Sequence, residues 1–144
     1  MIIRPGTVDD IPYALRVIKL FHDEALAEFG FMCTVEKLTE MIHKCEGTWL
    51  LAVENGIIVG IIAGMIVTSA TSDEPTFQEV MWYVTPEHRR CGMQLYAEME
   101  KLCRDRGVKK MVMVHMNNDI GKKVGEVYKK IGYREFERHF IKEL

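Results

Sequence analysis

Apolar residues along this chain recur first at helical and then at strand spacing, and the changes between the two periods mark out its elements. Ile11, Ala14, Leu15, Val17, Ile18 and Phe21 repeat at three- and four-residue steps, predicting an amphipathic helix to about Ala27 or Glu28. Thr7 caps its start, with Asp9 and Asp10 placed where carboxylates suit the helix dipole, and Met1–Arg4 before it reads as a short strand ended by Pro5-Gly6. Gly30 breaks the pattern, and Thr34 then caps a second helix striped by Val35, Leu38, Met41 and Ile42. From Thr48 the period shortens. Thr48–Val53 and Ile57–Thr68 are strands joined by Asn55-Gly56, a dipeptide suited to a two-residue hairpin turn with positive φ. Ser69–Pro75 is polar and acidic and reads as a loop, after which Phe77–Val84 resumes the sheet.

Helical spacing returns with Met93, Leu95, Met99 and Leu102, giving a helix from about Cys91 to Arg106 stopped by Gly107. Met111–Met116 follows as a buried strand, and a strand, helix, strand run on one sheet implies a parallel pair with Phe77–Val84. Asn117, Asn118 and Asp119 turn the chain into a last helix, about Lys122–Ile131, and Tyr133–Ile141 is expected to close the sheet as a strand. The order predicts an α/β (α+β) fold: a mixed central sheet with an antiparallel N-terminal meander and a parallel pair about the third helix, flanked by about four helices.

The 144 residues suit one domain, 1–144, with no linker and no repeat. A net charge of −2 and a pI near 6.2 give no nucleic-acid surface. Cys33, Cys45, Cys91 and Cys103 make no Cys-x-x-Cys pair and no cysteine/histidine ligand cluster, which points to reduced thiols, a cytoplasmic protein and no metal. Met1-Ile2-Ile3-Arg4 does not open a signal-type segment, and the longest apolar run, Ile57–Val67, has about half the length of a membrane span, so no membrane association is expected.

Chemistry concentrates between Trp82 and Leu95. An apolar strand ends at Val84-Thr85-Pro86, a turn carries Arg89 and Arg90, and a helix starts near Gly92. Free N–H groups and the positive dipole end make a helix start favourable for a phosphate. The segment Arg89-Arg90-Cys91-Gly92-Met93-Gln94 after Val84-Thr85-Pro86 resembles the Arg/Gln-x-x-Gly-x-Gly/Ala signature of the GCN5-related N-acetyltransferases, with Gln94 at a position usually Gly or Ala and Arg90 where Gly is common. Tyr128-Lys129-Lys130-Ile131-Gly132-Tyr133 resembles that family's Tyr-x-x-x-Gly-Phe/Tyr ending, and the element order matches its fold throughout.

The resemblance implies acetyl-coenzyme A as co-substrate. Its pyrophosphate is assigned to the backbone of Arg89, Arg90, Cys91, Gly92, Met93 and Gln94, and its pantetheine to the strand edge at Trp82, Tyr83 and Val84. An N–H near Val84 would polarise the thioester carbonyl. Where the family often has an asparagine seven residues before the tyrosine, this chain has Gly121, and Asn118 nearby is the replacement candidate. Tyr128 is the candidate acid for the thiolate and Glu79 the candidate base for the amine, with His115 or a water chain as rivals. Cys91 lacks a histidine at a telling spacing, which argues against a covalent cysteine route.

The resemblance thus implies transfer of an acetyl group to a small-molecule or peptide primary amine by direct attack in a ternary complex. The alternative is an inert acetyl-coenzyme A-binding module serving as sensor or interaction subunit. Phe29, Phe31 and Met32 lie in the region that walls the acceptor site in the resembled family, and Asp73 and Glu74 could attract a cationic amine. The acceptor, the acyl length and whether the chain forms a homodimer stay open.

Overall fold

The computed structural model describes residues 1–144. Its regular elements are β1 (Ile2–Pro5), α1 (Ile11–Ala25), α2 (Val35–Lys44), β2 (Trp49–Glu54), β3 (Ile57–Ser69), β4 (Ser72–Val84), α3 (Gly92–Asp105), β5 (Lys110–Val112) and α4 (Asp119–Lys130). The strands form one mixed sheet in the order β1-β2-β3-β4-β5, antiparallel except for the parallel β4–β5 pair.

Local chemistry explains most boundaries. The Thr34 hydroxyl accepts from the Lys37 N–H at the start of α2, and Asn55 and Gly56 take φ of 52° and 78° in the β2–β3 turn. Asp10 accepts from the Thr7 N–H and pairs with Arg4, locking β1 to the first helical turn. The Arg4 guanidinium holds the Asp10 carboxyl well below the usual carboxylate range.

Each sheet face carries a core. Ala14, Val17 and Ile18 of α1 and Ile42 of α2 pack with Leu51, Ile61, Met81 and Tyr83 on one face; Leu95, Met99 and Cys103 of α3 pack with Leu50, Ile62 and Phe77 on the other. No helix is long and apolar enough to cross a membrane.

Three expectations are corrected. Ser69–Pro75 is not a loop: β3 and β4 continue to a tight turn, with Ser69 paired to Ser72. Its polar residues form a hairpin tip projecting past both cores, so no alternation reports the strand. The Met111–Met116 strand shrinks to Lys110–Val112, because the Val114 N–H turns to a side chain of β4 and leaves the ladder. Tyr133–Ile141 forms no strand. The outer edge of β5 stays unpaired, and Phe136 and Phe140 are exposed.

Candidate active site

The site begins with a fault in the β3–β4 ladder. Ala63 pairs with Met81 but Gly64 with Glu79, so Val80 is an extra residue on β4. Val80 and Met81 both turn to the α1 face, which places Glu79 and Trp82 together on the face of α3 and α4. Without the bulge, alternation from Glu79 would send Trp82 to the opposite face. Gly64 is what lets the strands meet here, since a Cβ on it would stand 2.4 Å from the Gln78 carbonyl oxygen.

β4 and β5 then part. Their pairing covers only Thr76–Gln78 against Lys110–Val112, so the edge of β4 from Glu79 to Val84 has no strand beside it. Glu79 occupies the mouth of this opening. Its Oε2 accepts from the Val114 N–H at 2.8 Å and from the Tyr128 hydroxyl at 3.2 Å. The same hydroxyl lies 3.1 Å from the Val114 carbonyl oxygen. One carboxylate and one phenol, from β4 and α4, thus hold the N–H and the carbonyl of a single residue, Val114, just beyond the parted strand.

Burial lifts the Glu79 carboxyl to about 7, against the lowering effect of its two hydrogen bonds. Burial, and then the Glu79 charge, raises the Tyr128 hydroxyl above the ordinary tyrosine range. The Tyr128 ring stacks on Trp82 at 5.9 Å between centroids and lies 5.4 Å from Tyr133. Tyr96 completes the cluster, 5.6 Å from Trp82 and with its hydroxyl 2.9 Å from that of Tyr133. Tyr96 was not among the residues expected at the site. Its signal was its place four residues after Gly92, on the stripe of Leu95 and Met99.

The arginine segment is not an open turn. Pro86–Cys91 is a 3-10 helix that runs directly into α3, and the Gly92 N–H donates to the Arg89 carbonyl. Side chains fix it in place: the Thr85 hydroxyl lies 2.8 Å from His88 Nδ1, His88 Nε2 lies 2.9 Å from Glu54, and Arg89 pairs with Glu24 of α1 at 3.1 Å. Arg90 is exposed and forms no ion pair; Met93 and Gln94 are exposed on the first turn of α3. Cys91 is buried, which pushes its thiol up and disfavours a nucleophilic thiolate.

Gly92 has ordinary helical angles, and a Cβ there would lie 3.8 Å from both Trp82 and Val84, so the space it leaves faces the β4 edge. Gly92→Ala should therefore fold normally. Gly92→Val should also fold but crowd that space, and acetyl-coenzyme A affinity measured by calorimetry should drop; unchanged affinity in the folded variant would remove the segment from donor binding.

Other expected residues stand apart from the carboxylate–phenol pair. Asn118 caps α4: its side-chain oxygen accepts from the Gly121 N–H at 2.8 Å and its amide donates to Glu28 at 2.9 Å. Only glycine fits at 121, since a Cβ would stand 1.8 Å from the Met116 carbonyl oxygen. His115 is exposed and lies against α4, with Nε2 2.8 Å from where a Cβ on Gly125 would be. Phe31 and Met32 are exposed, and Glu74 pairs with Lys110, leaving Asp73 as the unpaired acid of that hairpin tip.

Three potential ligands that are not a recognisable motif in sequence meet in space. His22, Asp23 and Cys33, ten or more residues apart at their ends, are brought together by the turn after α1.

The acetyltransferase (GNAT) family model matches residues 16–133. The chain belongs to this family, and so to the acyl-coenzyme A-dependent N-acetyltransferases. Solved structures share the fold across nearly all of the chain. An aminoglycoside acetyltransferase, HMB0005, from an uncultured soil metagenomic sample superposes with a TM-score of 0.75 at 18% identity, covering 99% of this chain and 97% of its own. A ribosomal-protein-alanine N-acetyltransferase from Brucella melitensis biovar Abortus 2308 gives 0.74 at 12% identity, covering 100% of both. AAC(6')-Iy, in complex with the bisubstrate analog CoA-S-monomethyl-acetylneamine, gives 0.73 at 14% identity, covering 99% of this chain and 97% of its own. No curated protein matches the sequence with significance.

Proposed function

We propose that residues 1–144 act as one acetyltransferase domain, transferring an acetyl group from acetyl-coenzyme A to a primary amine by direct attack in a ternary complex. The observation that carries this reading is the Glu79–Tyr128 hydrogen bond at the opening between β4 and β5. A carboxyl brought to about 7 is matched to taking a proton near neutral pH.

The residues fit the co-substrate. The unpaired edge at Trp82, Tyr83 and Val84 can pair with an amide-bearing pantetheine arm, and the turn Arg89–Gln94, with the unpaired Arg90, can receive the pyrophosphate. Bound there, acetyl-coenzyme A supplies the acyl carbonyl and a thiolate leaving group. Glu79 takes one proton from the substrate ammonium, freeing the lone pair that attacks the thioester carbon, and after attack the nitrogen sheds a second proton to solvent. Tyr128 gives its hydroxyl proton to the departing thiolate, and Glu79, now protonated, returns one to Tyr128 across their hydrogen bond. Of the two protons the ammonium loses, one ends on the thiol and one in solvent, and both side chains are restored. Proton return through Glu79 answers a difficulty, since a phenol held above its usual range by an adjacent carboxylate is a poor acid until that carboxylate is neutralised.

The structural neighbours acetylate aminoglycosides or a ribosomal protein's alanine by their names, and both acceptor types present a primary amine. An amine panel spanning amino sugars, polyamines and peptide N-termini, read by release of free thiol from acetyl-coenzyme A, tests the proposal. Turnover above the uncatalysed rate is expected with at least one member; thiol release at the background rate throughout would favour the inert donor-binding module.

A further inference from the structure

His22 lies on the core-facing stripe of α1, four residues after Ile18 and eight after Ala14, where the pattern calls for an apolar side chain. It is 7% exposed, and neither ring nitrogen has a hydrogen-bond partner. A buried imidazole without partners is costly, so its persistence requires a reason. Its neighbours supply one. His22 Nδ1 lies 3.6 Å from Asp23 Oδ1, too far for a hydrogen bond, and the ligand atoms of His22, Asp23 and Cys33 all fall within 4.8 Å of one another.

We propose that His22, Asp23 and Cys33 form a zinc-type divalent metal site that ties the segment after α1 to the helix. With metal bonds of about 2.0–2.1 Å to nitrogen, 2.0–2.2 Å to oxygen and 2.3 Å to sulfur, ligand atoms around a tetrahedral zinc stand about 3.3–3.6 Å apart. The Nδ1–Oδ1 separation of 3.6 Å is already close to the nitrogen–oxygen edge of about 3.3–3.5 Å. Cys33 must move in to complete the set. It stands outside any helix or strand and is partly exposed, so little packing opposes the movement.

Charge also balances. A dication meets one thiolate, one carboxylate and one neutral imidazole, while Lys19 keeps Asp23 Oδ2 at 2.7 Å and leaves Oδ1 free for the metal. Binding displaces the Cys33 thiol proton to solvent and fills one vacant nitrogen of His22. Three protein ligands leave the fourth position to water. The segment so fixed includes Glu28, which meets Asn118 at the start of α4, so the metal would brace one wall beside the candidate active site. The proposal does not rest on the acetyl-transfer reading.

The test is titration of chelator-treated full-length protein with Co2+, followed by absorbance. Wild type should develop a sulfur-to-cobalt charge-transfer band and the visible bands of a four-coordinate ion, saturating at one equivalent and bleached by Zn2+. Cys33→Ser should lose the charge-transfer band, and Asp23→Asn should bind Co2+ more weakly. Both changes are outside the core, so circular dichroism should be unchanged. Cys45, Cys91 and Cys103 remain in both variants as internal controls. Absence of the band in wild type at saturating Co2+, or its persistence in Cys33→Ser, overturns the proposal.

Discussion

Replacing Glu79 by glutamine should give a protein that is more stable than wild type at pH 8 and almost without activity. In the folded chain the Glu79 carboxyl sits at about 7, whereas in the unfolded chain it has its ordinary value of 4.5. Below 4.5 both states are protonated and the group contributes nothing pH-dependent. Between 4.5 and 7 the unfolded state releases its proton while the folded state holds it, so stability falls as pH rises and levels off above 7. The loss amounts to about 3 kcal/mol at one pKa unit per about 1.4 kcal/mol. Glutamine never ionises, and its carbonyl oxygen can still accept from the Val114 N–H and the Tyr128 hydroxyl. Urea unfolding should therefore show wild type and Glu79→Gln close together near pH 4.5 and separated by up to about 3 kcal/mol at pH 8. A gap that does not grow with pH would mean that Glu79 is not held protonated by burial. The same change removes the base, and kcat should fall by ~10²–10⁴.

Tyr128→Phe should fold, bind acetyl-coenzyme A with little change and lose kcat by a factor of ~10²–10⁴. Phenylalanine keeps the ring against Trp82 and Tyr133 and removes only the hydroxyl. A second effect separates a chemical role from packing. The Tyr128 hydroxyl lowers the Glu79 pKa, so its loss should move the ascending limb of the residual pH–rate profile to higher pH. Wild-type turnover in the variant, with chemistry rate-limiting, would mean that water protonates the thiolate.

Much of this arrangement was legible because its elements bury one face. α1, α2, α3 and the β2–β3 turn carry clear periodicities and caps, and the structure places them within a few residues of expectation. The elements that misled lack such a face. The β3–β4 tip is polar on both sides, and the segment after Gly132 spaces its aromatics Tyr133, Phe136 and Phe140 at three- and four-residue steps and leaves the β5 edge unpaired. β5 is short because the Val114 N–H is spent on the Glu79 carboxylate rather than on the ladder.

At the site, the motif residues, Glu79 and Tyr128 could each be named from sequence, but the hydrogen bond that joins Glu79 to Tyr128 could not. Nor could the bulge at Val80, because a single extra residue in a ladder depends on the register of the partner strand. Asn118 could be placed near the site but not recognised as the cap of α4. The His22–Asp23–Cys33 cluster was hidden for another reason: ligands on a helix end and the loop beyond it have no fixed sequence spacing.

We propose Glu79 as the base for acetyl transfer, with Tyr128 as the acid for the thiolate. The measurement that tests it most directly is the pH dependence of kcat/KM for acetyl-coenzyme A at saturating amine, in wild type and Glu79→Gln. Wild type should show an ascending limb centred near 7, where the buried carboxyl ionises, and the variant a low profile without that limb. The same limb at comparable rates in both proteins would contradict that role for Glu79.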